Sequence, residues 1–236
     1  MLDKISTRIF ADGADLEGIL ALAANPHIKG FTTNPTLMRK AGLTRYAEFA
    51  QSLLEHITDH PVSFEVFADD ADEIRRQARL ISGWGSNVYV KIPITTTNGE
   101  PLASVIRELS EDGVKINVTA LFTVAQVELI TAAVMDGAPS NISVFAGRIA
   151  DAGVDPVPIM SRSLEVMEQA PRAELIWASP REILNLVQAN EIGCHIITVT
   201  HDLLKKLDCL GKSLEQYSLE TVRMFHDDAV AAGFTL

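Results

Sequence analysis

Eight short runs rich in β-branched and aromatic residues, separated by helical patterns, predict an α/β protein that folds as a single-domain (β/α)8 TIM barrel. The runs lie near residues 6–12, 28–33, 62–68, 87–94, 114–119, 141–146, 173–178 and 195–199. Strands that alternate with helices indicate a parallel sheet, and barrels of this type commonly use ~250 residues as one domain. Because the chain has 236 residues and contains no low-complexity linker, we expect one domain over residues 1–236.

Helical patterns occupy connections between these runs. They lie at Tyr46–Ile57, Ala71–Ser82, Leu102–Ser110, Thr123–Met135 and Pro158–Glu168, and Asp202–Leu207 follows the eighth run. The last stretch, Leu214–Ala232, is amphipathic, so we expect residues 212–236 to form a C-terminal helical extension. A doubly wound open sheet is the alternative architecture. It is disfavoured because no G-x-G-x-x-G segment or P-loop follows any of the runs.

The composition is that of a globular protein and excludes several kinds of partner. The formal net charge is -11 and there is no basic cluster, so nucleic acid is not an expected partner. Cys194 and Cys209 have neither metal-binding spacing nor a disulfide framework, which fits a reducing compartment. The sequence has no signal peptide and no apolar run of ~18 residues. We therefore expect a soluble, cytoplasmic protein that does not enter a membrane.

Lys91 is the least expected residue of the fourth run, Asn87-Val-Tyr-Val-Lys-Ile-Pro-Ile94, which otherwise has the pattern of an interior strand. Burying an ammonium group costs on the order of several kcal/mol unless a partner compensates. A lysine in such a place tends to lose its proton and to act as a nucleophile. The alternative interpretations are a lysine at a strand end that reaches solvent, or a partner in a structural ion pair.

Side-chain alternation places further polar groups on the same face as Lys91. Successive residues of a strand point to opposite faces, and the apolar face of each run is expected to pack under the helices. The opposite face of the third to sixth runs then carries Glu65, Lys91, Asn117, Thr119 and Ser143, followed by Phe145. Barrel interiors are usually filled by branched apolar residues. Any one of these polar residues could be a satisfied core group, but the five together indicate a functional site.

The ends of the first two runs add residues to this site, because active sites of such barrels form at the C-terminal ends of the strands. Asp12 ends the first run. Thr32 and Asn34 share a face at the end of the second run and could offer a hydroxyl and an amide to a polyol. The Asn34-Pro35 pair could also be a simple turn.

Two arginines and a serine follow the sixth and seventh runs. Arg148 follows the sixth run, and Ser179 and Arg181 follow the seventh. These groups suit a phosphate, which barrels often bind near the last strands, and they would supply the positive pocket that an anionic substrate needs in an acidic protein. Surface ion pairs with acidic residues are the alternative for both arginines.

Five segments in this order resemble the transaldolase family, including its short branch that contains fructose-6-phosphate aldolases. They are Gly30-Phe-Thr-Thr-Asn-Pro-Thr36, Val90-Lys-Ile-Pro-Ile-Thr95, Ile116-Asn-Val-Thr-Ala-Leu-Phe-Thr-Val-Ala-Gln126, Ser143-Val-Phe-Ala-Gly-Arg-Ile149 and, more weakly, Trp177-Ala-Ser-Pro-Arg181. The resemblance spans nearly the whole chain. It implies a barrel enzyme whose Schiff-base lysine lies on the fourth strand, with sugar phosphates as substrates and without a metal or an organic cofactor.

The resemblance also implies a role for each candidate residue. Lys91 would form an imine with a ketose carbonyl, and Asp12 would take the proton from the hydroxyl next to the breaking bond. Glu65, through a water held by Thr119, would move protons during imine formation and hydrolysis. The substrate-binding residues would be Thr32, Asn34, Asn117, Ser143 and Phe145, together with Arg148, Ser179 and Arg181 for the phosphate.

Two positions favour the transfer of a dihydroxyacetone unit from a ketose phosphate, such as sedoheptulose 7-phosphate or fructose 6-phosphate, to an aldose phosphate. The aldolase branch carries Gln where Glu65 stands and Tyr where Phe145 stands, so both residues here match the transaldolase pattern. A lyase that releases dihydroxyacetone is the first alternative. A barrel that binds a sugar phosphate without turnover is the second, and it is disfavoured by the complete catalytic set.

Two further features leave the substrate and the assembly open. Residues 96–101 make the loop after the fourth run longer than is usual for the family, and Pro180 replaces a common aromatic residue. The loop is either a harmless surface turn or a sign of a modified sugar outside the pentose phosphate pathway. Short members of the family form rings, so we expect a homo-oligomer, with a pentamer or a decamer as candidates.

Overall fold

The structure, a computed structural model, describes residues 2–235, and its eight strands form a closed parallel barrel. The strands are β1 (Arg8–Asp12), β2 (Ile28–Thr32), β3 (Val62–Glu65), β4 (Val88–Pro93), β5 (Ile116–Leu121), β6 (Ser140–Val144), β7 (Ala173–Trp177) and β8 (Ile196–Thr200). Each strand pairs with the next one along the chain, and β8 pairs with β1. The predicted (β/α)8 barrel is therefore confirmed, and the open sheet is wrong.

Helices surround the barrel. They are α1 (Leu16–Ala23), α2 (Pro35–Lys40), α3 (Tyr46–Leu54), α4 (Ala71–Ser82), α5 (Ala103–Glu111), α6 (Val124–Val134), α7 (Ala146–Asp151), α8 (Pro156–Met167), α9 (Leu184–Glu191), α10 (His201–Leu204) and α11 (Leu214–Ala231). Single 3-10 turns lie at Leu2–Lys4 and Leu207–Cys209. The expected helical patterns correspond to α3, α4, α5, α6, α8, α10 and α11, with ends that differ by a few residues.

Four short helices, α1, α2, α7 and α9, were not anticipated by the apolar periodicity, since each has only six to eight residues. The Asn34-Pro35 pair, which could have been a simple turn, begins α2. Asn34 is the N-cap and accepts a hydrogen bond from Leu37 N at 2.9 Å, while Pro35 occupies the first helical position. Proline is suited to that position because the amide hydrogen that it lacks would have no partner within the helix.

Two strands have ends that differ from the sequence prediction. The third run was expected to reach residue 68, but β3 ends at Glu65. The amides of Phe67 and Ala68 donate instead to Gln77 Oε1 of α4, at 2.8 and 3.2 Å. The fifth run was expected from residue 114, but Val114 N donates to Leu109 O at the end of α5, so β5 begins at Ile116.

Apolar residues form one layer between the strands and the helices and a second, smaller cluster inside the barrel. The outward faces of the strands are fully buried, as Val62, Phe64 and Val90 show with 0% exposure. The cluster inside the barrel consists of Phe10, Ile176, Ala178 and Ile196, with Phe145 packed against it. Phe10 and Ile196 precede Asp12 and Thr198 by two residues on the same strand faces, so this cluster closes the barrel below its C-terminal end.

The C-terminal helix α11 differs from the others because none of its residues is buried. Its exposed apolar side chains include Leu214, Val222, Phe225 and Val230, which are 61–79% exposed. Among residues 2–235, no helix combines the length and the hydropathy that a bilayer crossing requires.

The first prediction concerns Gly30, whose position opposite Phe10 lets that ring fill the barrel. A Cβ atom at position 30 would lie 2.6 Å from Phe10 Cζ. We expect Gly30→Ala to lower the free energy of unfolding by about 1–3 kcal/mol because the interior becomes overpacked. Gly83→Ala is the control, since its Cβ would meet nothing closer than 3.4 Å.

The measurement is urea unfolding of each variant, together with the double variant Phe10→Leu/Gly30→Ala. The smaller side chain at position 10 should recover part of the loss. Equal stabilities for Gly30→Ala and Gly83→Ala would show that contact with Phe10 does not constrain position 30.

Candidate active site

Lys91 lies at the centre of the barrel with two partners for its ammonium group. Its residue exposure is 7%, and it is flanked in register by Glu65 on β3 and Asn117 on β5. Lys91 Nζ donates to the backbone oxygen of Thr33 at 2.9 Å and lies 3.2 Å from Glu65 Oε2. The lysine therefore does not reach out to solvent from the strand. It forms an ion pair inside the barrel, at the end where the strands terminate.

Tyr46 of α3 fixes the strand end that carries Glu65. Glu65 N donates to the Tyr46 hydroxyl at 2.7 Å, and that hydroxyl donates to Glu65 O at 3.2 Å. The Tyr46 ring packs edge-on against Phe64, Phe67 and Trp84. Burial raises the pKa of Tyr46 well above its usual range, so the hydroxyl keeps the proton that it donates. Sequence reasoning missed Tyr46, because the contact arises only when α3 packs against β3.

Asp12 is held by two residues from the end of β2. Thr32 Oγ1 donates to Asp12 Oδ1 at 2.9 Å, and Asn34 Nδ2 donates to Asp12 Oδ2 at 3.0 Å. Burial raises the pKa of Asp12, while Lys91 and these two hydrogen bonds act in the opposite direction. In this structure Thr32 and Asn34 thus contact the carboxylate, and the Asn34 amide oxygen caps α2.

A second chain of hydrogen bonds inside the barrel links β6, β5 and β3. Ser143 Oγ donates to Asn117 Oδ1 at 2.7 Å, and Asn117 Nδ2 donates to Ser63 Oγ at 3.0 Å. All three residues are buried. Ser63 was missed by sequence reasoning, although it precedes Glu65 by two residues and so has the same inward parity.

Thr119 lies on the inner face of β5, two residues after Asn117. It is 4% exposed, and its Oγ1 has no hydrogen-bond partner among residues 2–235. The next residue, Ala120, has a φ of 63°, a left-handed conformation that is uncommon for alanine. A buried hydroxyl without a protein partner can bind a water molecule, and strained backbone of this kind is concentrated at functional sites.

The start of α7, which carries Arg148, is in direct contact with the segment after β7 that carries Ser179. A Cβ atom at Gly147 would lie 1.6 Å from Ser179 O, so only glycine allows this approach. Ser179 itself has a φ of 60°. Arg148 is exposed, and its guanidinium carbon lies 5.1 Å from the centre of the Phe145 ring, which faces the barrel interior. A serine and an arginine are thereby brought together at the ends of β6 and β7.

Arg181 forms an ion pair with Asp151, as one of the sequence interpretations allowed. Its Nε donates to Asp151 Oδ1 and Oδ2 at 3.0 Å, and its Nη2 also contacts Asp151 Oδ2. These hydrogen bonds lower the pKa of Asp151. The pair uses one edge of the guanidinium, and Nη1 makes no hydrogen bond within the described part of the chain. That second edge is available to an anion.

The loop at residues 96–101 is an ordered turn. Thr95 and Pro101 form an antiparallel bridge, and Thr96 N donates to Glu100 O at 2.9 Å. Asp69, from the loop after β3, accepts a hydrogen bond from Thr97 N at 2.6 Å and another from the Thr97 hydroxyl. Hydrogen bonds from Thr97 lower the pKa of Asp69. The extra residues are therefore tied to the neighbouring loop at the same end of the barrel.

Residues 2–235 contain no group of three or more His, Cys, Asp or Glu side chains placed to hold a metal ion. The polar groups that meet at the site are instead an amine, two carboxylates, two amides and several hydroxyls. An amine beside carboxylates suits covalent chemistry on a carbonyl group together with proton transfer.

Comparison with known families agrees with this chemistry. The model of the family described as Transaldolase/Fructose-6-phosphate aldolase matches residues 9–236. The chain belongs to this family. The resemblance that was drawn from the five sequence segments is thereby confirmed.

Individual relatives cover most of the chain. A protein of Dehalococcoides mccartyi named "Probable transaldolase" is 35% identical over 201 residues, which are 85% of this chain and 89% of that protein. A protein of Listeria monocytogenes named "Probable transaldolase 2" is 36% identical and covers 85% of this chain and 88% of its own length. Among solved structures, dihydrodipicolinate synthase from Rhodopseudomonas palustris has a TM-score of 0.59 at 16% identity, covering 82% of this chain and 69% of that one. That likeness shows the fold alone.

The second prediction concerns the Tyr46 hydroxyl. We expect Tyr46→Phe to lower the free energy of unfolding by about 1–3 kcal/mol, because the backbone N–H and C=O of Glu65 both lose their contact with this hydroxyl. Tyr89→Phe is the matched control, since the Tyr89 hydroxyl makes no hydrogen bond within residues 2–235. Chemical denaturation of the two variants tests this, and equal losses of stability would contradict a specific role for Tyr46.

Proposed function

We propose that the protein is a transaldolase that moves a dihydroxyacetone unit from a ketose phosphate to an aldose phosphate through a Schiff base on Lys91. The observation that carries the proposal is the position of Lys91 inside the barrel, 3.2 Å from Glu65 Oε2 and near enough to Asp12 to oppose the rise that burial causes in the pKa of that carboxyl. The family of the chain and the names of its relatives support the same reaction.

The reaction begins with imine formation. Glu65 accepts a proton from the Lys91 ammonium, and the neutral amine attacks the C2 carbonyl of the ketose to give a carbinolamine. Glu65 then returns a proton through a water held by Thr119, so that the hydroxyl leaves as water and a protonated imine forms. The free Thr119 hydroxyl supports this placement of the water.

Carbon–carbon cleavage follows at Asp12. The Asp12 carboxylate takes the proton of the C4 hydroxyl, the C3–C4 bond breaks, and its electron pair passes into the imine to give an enamine. The aldehyde product leaves, and an acceptor aldehyde takes its place. The enamine carbon attacks that aldehyde, Asp12 protonates the new alkoxide, and hydrolysis of the imine frees the product and Lys91.

Separate groups bind the two ends of the substrate. Asn117 and Ser143 bind the hydroxyls of the dihydroxyacetone unit from the inner walls of β5 and β6, and Thr32 and Asn34 act beside Asp12. Arg148, Ser179 and the free edge of Arg181 bind the phosphate. The contact between Gly147 and Ser179 supports this assignment because it holds the start of α7 close to the segment after β7.

Transfer is favoured over the release of dihydroxyacetone by the residue at position 145. Phe145 packs against the apolar cluster inside the barrel and has no hydroxyl that could protonate the enamine. The enamine therefore persists until an aldehyde arrives. The ordered loop at residues 96–101 stands where it could contact the sugar, so a modified sugar remains the alternative substrate.

Helix α11 supports the proposal that the protein is a homo-oligomer, with a pentamer or a decamer as candidates. None of its apolar side chains is buried by residues 2–235, and burying them between subunits would stabilise an assembly. We accordingly propose that residues 1–236 form one domain whose 212–236 extension contacts neighbouring subunits. The free thiols of Cys194 and Cys209 support a cytoplasmic location.

The third prediction tests the Schiff base. Incubation with fructose 6-phosphate followed by borohydride reduction should add the mass of a reduced sugar fragment to the peptide that contains Lys91. Lys91→Met should lose this adduct and all turnover while the protein stays folded. Lys115→Met is the control and should keep the adduct, because Lys115 lies just before β5, at the N-terminal ends of the strands, and donates to Ser86 O.

The outcomes of this experiment separate the candidate functions. Absence of an adduct with every ketose phosphate tested would leave a sugar-binding protein without turnover. Release of free dihydroxyacetone in the absence of an acceptor would establish the lyase.

The fourth prediction tests the role of α11. Replacing Val222 and Phe225 by Asp should lower the molar mass that light scattering measures in solution, because both side chains are more than 60% exposed in the single chain. His226→Ser is the control on the same helix. A monomeric wild-type protein, or an unchanged mass in the double variant, would overturn the proposed assembly.

A further inference from the structure

Thr198 on β8 contacts the candidate active site, although the reaction scheme gives it no role. It faces the barrel interior beside Phe10 of β1, and it is 8% exposed. Its Oγ1 lies 2.5 Å from Thr32 Oγ1, the shortest hydrogen bond to the residues around Asp12. Thr32 Oγ1 in turn donates to Asp12 Oδ1 at 2.9 Å. The three side chains form one chain of hydrogen bonds across β8, β2 and β1.

The number of hydrogen atoms determines the direction of this chain. A threonine hydroxyl has one hydrogen, and an ionised carboxylate can only accept. When Asp12 is ionised, the Thr32 hydrogen points to Asp12. The hydrogen between the two threonines must then come from Thr198.

The opposite direction leaves a hydrogen without an acceptor. If Asp12 were protonated on Oδ1 and donated to Thr32, Thr32 would donate to Thr198, and the Thr198 hydrogen would need a further acceptor. Within residues 2–235, Thr198 Oγ1 has no hydrogen-bond partner other than Thr32. The arrangement therefore fits an Oδ1 that carries no hydrogen. Asn34 Nδ2 donates to Oδ2 in the same way, so both oxygens accept hydrogen bonds as those of a carboxylate do. Each bond in such a chain polarises the next.

We propose that Thr198 is a positioning residue that donates to Thr32 and thereby holds Asp12 as the carboxylate that removes the substrate proton. The inference rests on the proposed function only for the role of Asp12 as a base. Thr198 does not touch the reacting atoms, and it acts through Thr32 alone.

Charged groups around Asp12 also affect the pKa of its carboxyl. Lys91 on β4 favours the carboxylate, and Glu65 on β3 opposes it. On its outer side Asp12 shares a cavity with the charged or titratable residues Asp15, Lys40, His201 and Asp202. Replacing the Thr198 hydroxyl by a methyl group changes none of these charges. A change in the pKa of Asp12 in Thr198→Val is therefore caused by loss of the hydrogen bond to Thr32.

The test is the pH dependence of kcat/KM for Thr198→Val, with Thr198→Ser as the matched variant that keeps a hydroxyl. A base must be ionised to act, so raising the pKa of Asp12 removes activity on the acid side and leaves the plateau at higher pH. We expect the acid limb of the pH profile to move up by about 0.1 to 0.7 of a pH unit in Thr198→Val, because only the polarisation of the Thr32–Asp12 hydrogen bond is lost. Thr198→Ser should return the limb to its wild-type position.

A double-variant cycle shows whether Thr198 acts through Thr32. The acid limb of the pH profile should move as far in Thr32→Val/Thr198→Val as in Thr32→Val alone, because the chain of hydrogen bonds is already broken at Thr32. Additive shifts would overturn the inference, as would an unmoved limb in Thr198→Val. If Thr198→Val does not fold, Thr198→Ala replaces it in the same comparison with Thr198→Ser.

Titration of the Asp12 carboxyl carbon by NMR in the resting protein separates this inference from the proposed function. A midpoint that rises in Thr198→Val supports the hydrogen-bonded chain even if no substrate turns over. A wild-type protein that is active, combined with an unchanged midpoint in Thr198→Val, would reject the role of Thr198 and leave the transaldolase proposal in place.

Discussion

The pair formed by Lys91 and Glu65 is the constraint on which the rest of the site depends. An ammonium ion inside a barrel is tolerated only when nearby groups compensate for its loss of water. Here the Glu65 carboxylate and the Thr33 carbonyl supply that compensation at 3.2 and 2.9 Å. The Tyr46 hydroxyl in turn binds the backbone N–H and C=O of Glu65 and so fixes the strand end that carries this carboxylate. The same arrangement places an amine and a proton acceptor side by side, as imine chemistry requires.

The apolar cluster inside the barrel determines where this chemistry can occur. Phe10 packs against Ile176 and Ile196 and occupies the space that Gly30 leaves open. Within residues 2–235 this cluster therefore lies below the site, which faces the C-terminal ends of the strands, where Asp12, Arg148 and Ser179 lie. Phe145 packs against the same cluster, so the residue that we propose to favour transfer over release is also part of the packing.

Much of the fold and part of the site could be predicted from the sequence, because both follow from short-range periodicity. Alternation along single strands identified Glu65, Lys91 and Asn117 as inward-facing residues, and the structure brings them together. It did not identify Tyr46 or Thr198. Tyr46 contacts Glu65 only through the packing of a helix on the sheet, and Thr198 contacts Thr32 only because β8 closes the barrel against β1.

The pairing of Arg181 with Asp151 was also beyond the sequence, since 30 positions separate the two residues and charge alone does not select a partner. The pair uses Nε and Nη2 and leaves Nη1 for the phosphate that we propose.

A crystal structure of the protein soaked with fructose 6-phosphate shows directly whether the sugar is bonded to Lys91. We expect continuous electron density from Lys91 Nζ to the C2 carbon of the sugar, with the phosphate between Arg148 and Arg181. Sugar bound without a covalent bond to Lys91, or attached to another lysine, would contradict the proposed Schiff base.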